Sequence, residues 1–83
     1  MTTVIIYERK NKELIKLKTC YFSSVKTFTA IISETINDLL PQVVTYENYQ
    51  RIEVDIHYKI GSEDKVVYMF NSGASKLVLS PGP

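Results

Sequence analysis

From Gln50 to Ile60 polar and apolar residues alternate without a break: Ile52, Val54, Ile56, Tyr58 and Ile60 are interleaved with Arg51, Glu53, Asp55, His57 and Lys59. Successive side chains of a strand point to opposite faces of its sheet, so this segment has one dry face and one wet face. A helix is excluded, because its apolar stripe recurs at three and four residues. So is a strand buried between two layers, which reads as a continuous apolar run. The chain therefore has to build a sheet and cover one side of it.

The flanking segments supply the rest of that sheet. Gly61-Ser62-Glu63-Asp64 predicts a tight turn, and Lys65-Val66-Val67-Tyr68-Met69-Phe70 a returning strand. A second turn, Asn71 to Ser75, leads to a short run, Lys76-Leu77-Val78-Leu79. At the other end, Val4-Ile5-Ile6-Tyr7 and Glu13-Leu14-Ile15-Lys16-Leu17-Lys18 flank a polar stretch from Glu8 to Lys12. They predict an antiparallel hairpin, with Ile15 and Leu17 on one face and Lys16 and Lys18 on the other. Its turn has no Asn-Gly pair to set the register.

Between the two hairpins lies the cover. Val25, Phe28, Ile32, Ile36, Leu39 and Leu40 recur largely at spacings of three and four, with Ile31 beside the stripe. Lys26, Ser33, Glu34, Asn37 and Asp38 fall mainly on the opposite side. This is an amphipathic helix with its apolar face on the core. Ser23 and Ser24 are the candidate N-caps, since a serine hydroxyl accepts from an orphan backbone N–H. Pro41 has no N–H and disfavours helical geometry at Leu40, so the helix is expected to end there. Val43-Val44-Thr45-Tyr46 either extends the following strand backward or approaches it irregularly.

The order hairpin, helix, hairpin, extra strand (ββαβββ) predicts an α+β two-layer sandwich, one helix packed across one face of one sheet. A chain of 83 residues removes only about 63% of its unfolded surface from water, which supports one thin core. Residues 1–79 are expected to form that single domain. Ser80-Pro81-Gly82-Pro83 is expected to fray. The β-grasp of ubiquitin-like proteins runs hairpin, helix, strands in the same order, a similarity of element order alone. The tail has no terminal diglycine, so conjugation of the ubiquitin kind gains no support.

Charge and composition narrow the partners. The formal net charge is +1, too near neutral for the whole chain to act as an electrostatic nucleic-acid binder. The distribution is uneven: residues 1–26 carry six Lys/Arg against two acids, and residues 27–64 two against seven. The single cysteine, Cys20, cannot form an intramolecular disulfide, and no signal peptide precedes it, which points to a reducing cytoplasm. The apolar run at the N-terminus is too short for a membrane span. Nine isoleucines, eight lysines, six tyrosines and four asparagines against two alanines match AT-rich codons, which suggests a bacterium of that composition or its phages and mobile elements.

Few residues are equipped for catalysis. Cys20 and His57 are the only thiol and imidazole. A Cys–His pair needs contact and an oxyanion hole, and no local signature supports either. Cys20, beside Tyr21 and Phe22, reads as a packed thiol, and His57 as a surface strand residue. One Cys, one His and scattered acids make no zinc or calcium pattern. Glycines at 61, 73 and 82 alone make neither a dinucleotide fingerprint nor a phosphate loop. No catalytic residue, metal or cofactor is expected, and the chain reads as a non-enzyme.

Two surfaces remain. In the basic hairpin, Arg9, Lys10, Lys12, Lys16 and Lys18, with Tyr7 and Tyr21 nearby, are candidates for phosphate contact and base stacking. They equally guard an edge hairpin against strand-to-strand aggregation. The second hairpin points to a protein interface. If Ile60 pairs with Lys65, then Tyr58 faces Val67, Ile56 faces Met69, and Val66, Tyr68 and Phe70 join His57 and Asp55 on the wet face. A turn longer by one residue reverses the two sets. Either way, apolar side chains lie on the face away from the helix, where a two-layer domain has nothing to cover them. The expected function is a small protein-binding module, with a phage or mobile-element accessory or inhibitor as its setting and a second copy or a foreign protein as its partner. The alternative is a nucleic-acid-binding accessory protein.

Overall fold

In the computed structural model, which describes residues 1–60, 63–71 and 77–81, the alternating segment is a strand at the centre of a sheet. Among the described residues there are five strands: β1 (Thr2–Lys10), β2 (Glu13–Phe22), β3 (Ile52–Ile60), β4 (Glu63–Asn71) and β5 (Leu77–Pro81). Their spatial order is β2-β1-β3-β4-β5, and every neighbouring pair is antiparallel. β2 and β3 both run against β1, so they are parallel to each other, and the segment joining them must cross over β1. That crossover carries the helix, and the fold is the expected α+β layer pair. It is not a β-grasp. A β-grasp sets the first strand parallel to the last, whereas here the neighbours of β1 are β2 and an antiparallel β3, with β5 at the far edge.

One face of the sheet is dry. Val4 and Ile6 of β1, Phe22 of β2 and Ile52, Val54 and Ile56 of β3 are buried against Ile31, Leu39 and Leu40 of the helical segment. Leu17, Cys20, Phe28, Ile32, Val43, Val44 and Tyr58 pack around them, half-buried. The Phe28 and Tyr58 rings meet with centroids 4.7 Å apart. Full burial of one aliphatic side chain of this size stabilises by about 1.5–3 kcal/mol.

The helical segment departs from the sequence expectation in three ways. It is capped by Thr27, whose hydroxyl oxygen accepts from the Ala30 N–H at 3.2 Å; Ser23 instead closes the turn before it, accepting from the Val25 N–H. It does not stop at Leu40. Helix α1 (Phe28–Glu34) passes into a π-helical turn, Thr35–Leu39, and helix α2 (Leu40–Val43) follows. The Leu40 N–H donates to the Thr35 carbonyl, one residue farther back than in an α-turn. Pro41 supplies no N–H, and in an unbroken helix its ring would press on the carbonyl four residues behind. The wide turn gives it room, and Pro41 then lies in the first turn of α2, where a missing donor does no harm.

The buried stripe is also rotated. Ile31, Thr35 and Leu39 are the buried row, while Ile36 keeps 43% and Val25 87% of its exposure. Steps of four overshoot a 3.6-residue α-turn and fall short of a wider π-turn. The two offsets cancel across the row 31, 35, 39, which keeps it aimed at the sheet. Thr35 is tolerated there because its hydroxyl donates to the Ile31 carbonyl at 2.7 Å.

Three strand details also differ. The first hairpin turns tightly at Asn11-Lys12, with Asn11 at φ 56°, a left-handed conformation that asparagine tolerates better than most residues. A bulge in the β1–β2 ladder places Lys16 opposite Tyr7 but Lys18 opposite Ile6, so the two lysines lie on opposite faces rather than together. In the second hairpin Ile60 pairs with Glu63, not Lys65. The slip is two residues, which leaves the faces unchanged. Ser80 and Pro81, expected in a frayed tail, pair with Tyr68 and Val67. Proline is tolerated there because β5 is an edge strand. Gly82 and Pro83 lie outside the described residues.

Candidate functional site

The helix covers one face of the sheet, and among the described residues no element covers the other. Its composition follows from the register. Thr3, Ile5 and Tyr7 of β1 lie opposite His57, Asp55 and Glu53 of β3. On β2, Tyr21, Thr19 and Lys16 lie opposite the same three β1 residues, and Leu14 lies opposite Arg9. On β4, Val66, Tyr68 and Phe70 pair with His57, Asp55 and Glu53. The side chains of Tyr68 and Phe70 lie outside the described residues; Val66 is half-buried. Thr3, Ile5, Tyr7, Glu53 and Asp55 are half-buried among their neighbours, and Tyr21 stands out with 66% of its surface free.

Charge on this face is concentrated on β3. The Glu53 carboxylate accepts from Arg9 at two points, Nε with Oε2 and the second contact at 3.2 Å. Such a fork fixes both side chains. Asp55 has a weaker neighbour, His57, whose Nε2 lies 3.9 Å from Oδ2. Burial raises the Asp55 pKa above the ordinary carboxylate value; His57 draws it back and Glu53 pushes it further up. Burial likewise raises the Tyr7 phenol, with Asp55 adding to the effect.

The basic hairpin does not form one patch. Arg9 is held by Glu53, and Lys10 lies 3.9 Å from Glu8. Lys12 is in the turn, Lys16 belongs to the open face, and Lys18 is half-buried opposite Ile6 on the helix side. Cys20, opposite the buried Val4, is on the helix side as well, while His57 is on the open face. The sheet itself separates thiol from imidazole. Among the described residues no group of three His, Cys, Asp or Glu side chains is placed to hold a metal, and no helix is long and apolar enough to cross a membrane.

A polar cluster beside the core escaped the sequence reading. Glu8 is buried at the end of the dry face and accepts from Asn48 Nδ2 and an Arg51 guanidinium N–H, each at 3.3 Å. Asn48 also accepts from the Thr45 N–H at 2.6 Å and donates to the Val43 carbonyl at 3.1 Å. In return its own N–H donates to the Thr45 hydroxyl at 3.1 Å. The cluster ties the loop after α2 to β1. The only hint in the sequence is that Glu8 continues the phase of Val4 and Ile6.

Known protein families, characterised proteins and solved structures offer no match to this chain.

Proposed function

We propose that this chain is a non-catalytic protein-binding module that works through the open face of its sheet. The carrying observation is the makeup of that face: Ile5, Tyr7 and Val66 lie around two acids on β3, Tyr21 stands on β2, Tyr68 and Phe70 are in register on β4, and among the described residues no helix lies over it. Aromatic side chains with a few fixed charges are the composition of interface centres, and an uncovered apolar sheet face marks a docking surface. A small domain that occupies a partner's surface in this way acts as an accessory or inhibitor protein. The AT-rich composition supports a phage or mobile-element setting, and the single thiol supports a reducing cytoplasm. The dispersal of the basic hairpin over both faces and the turn favours the protein-binding reading over nucleic-acid binding.

A photo-crosslinking benzoylphenylalanine at Tyr21, on the open face, tests this against the same group at Ser33, on the exposed side of the helix. In the source cell, adducts to a protein are expected from position 21 and not from 33, and adding Ile5→Lys should remove them. Equal yields from the two positions would overturn the assignment of this face.

A further inference from the structure

The open face has an unneutralised charge near its centre, and this constrains what can cover it. Asp55 lies between Ile5 on β1 and, by register, Tyr68 on β4. Its side chain keeps 20% of its exposure. Glu53 beside it is matched by Arg9. Asp55 has only His57 as an ion-pair neighbour among the described residues, and an imidazole is a cation only when protonated. A partner that closes over the face removes the remaining water from this carboxylate. A wholly apolar lid would leave a buried charge unpaired, the most unfavourable outcome at an interface. A cation on the lid restores a partner to this charge more fully than a neutral donor does.

We propose that the face binds a foreign protein whose surface presents an arginine or lysine within an apolar patch. The cation meets Asp55, and the apolar groups around it rest on Ile5, Tyr7 and Val66. This rests on the binding-face reading above and adds the chemistry of the partner.

A second copy paired through Lys16 does not meet the requirement. Lys16, opposite Tyr7, is an open-face cation with no carboxylate partner among the described residues; Lys59 is on the same face by register, with its side chain outside them. A two-fold axis along β1 exchanges the strands on its two sides, and so sets Lys16 of one copy over the β3 acids of the other. That axis overlays only β2, β1 and β3. At about 4.8 Å per strand and about 3.3 Å per residue over roughly eight residues, three strands cover roughly 380 Å². The pair of faces buries roughly 760 Å², short of the ~1,000 Å² that a specific interface clears. Shifting the axis outward to gain area moves Lys16 off the β3 acids.

The test is an amide-resolved NMR titration of the intact chain with three blocked tripeptides, Leu-Arg-Leu, Leu-citrulline-Leu and Leu-Glu-Leu. The arginine peptide is expected to shift the Ile5, Tyr7, Asp55 and His57 amides saturably in the millimolar range. Asp55→Asn should weaken it at least ~10-fold, the size of one lost charge-assisted contact. Glu47→Gln, an exposed acid off the face, should leave it unchanged. Equal binding of the arginine and citrulline peptides would overturn the cation requirement while leaving the binding face in place. Open-face amides that move with protein concentration alone, in a chain that sediments as a dimer, would make a second copy the occupant and overturn the proposal. If every peptide leaves the open-face amides still, the proposal and the binding-face reading fall together.

Discussion

In the binding proposed above, Asp55 sets stability against binding within one side chain. Its carboxyl is raised by burial among Ile5, Tyr7 and Glu53, and only His57 favours its charge. A carboxyl whose pKa is higher folded than unfolded binds its proton more tightly in the native state. Its contribution is therefore fully present below the unfolded value, near 3.9, and is lost as pH rises through the higher folded value. The amide introduced by Asp55→Asn does not titrate. The expected outcome is that this variant has a higher urea midpoint than wild type at neutral pH, and that the advantage disappears toward pH ~3, below the unfolded carboxyl value. An advantage that is constant with pH would show that Asp55 is not strained by ionisation. A residue kept at a place where it weakens the fold is what a binding role leads one to expect.

At the scale of elements, the helical segment separates what periodicity reveals from what it hides. The stripe from Phe28 to Leu40 reveals an amphipathic helix. It does not reveal the phase, because the π-turn ahead of Pro41 rotates the row by an amount that no α-period contains. The bulge in the first hairpin has the same effect on Lys16 and Lys18: one extra residue switches every later side chain to the other face. β3 and β4 carry no such insertion in their described ladder, so the alternation there was legible, and a register slip of two did no damage. The cluster of Glu8, Asn48 and Arg51 was illegible for another reason: its partners lie 40 and 43 positions apart. The phase shift has a direct test by urea denaturation. Ile31→Ala should cost ~2–5 kcal/mol as a core truncation. Ile36→Ala, on the exposed side, should stay within about 0.5 kcal/mol of wild type. A reversed ranking would place the π-turn wrongly.

For the molecule as a whole, the strand nearest the N-terminus is an interior one. β1 is hydrogen-bonded to β2 on one side and β3 on the other, and the helical crossover passes over it. Val4 and Ile6 reach full burial only when β3 has arrived with Val54 and Ile56, some fifty residues later in the chain. The core is thus closed by long-range pairing rather than by either hairpin alone, and the two hairpins should not be independently stable units. Hydrogen exchange measures this directly. From Thr3 to Glu8 β1 has a strand on each side, so these amides, with those of Val54 and Ile56, should exchange only through global unfolding. β2 is an edge strand with one row of amides unpaired on its outer side, and alternate amides from Glu13 to Phe22 should exchange orders of magnitude faster. The free energies from β1 and β3 should coincide with each other and with the urea value. If β1 exchanged together with β2 at a lower free energy than β3, the first hairpin would open as a unit. The antiparallel β1–β3 seam, on which both the core and the open face depend, would then be the weak joint of the fold.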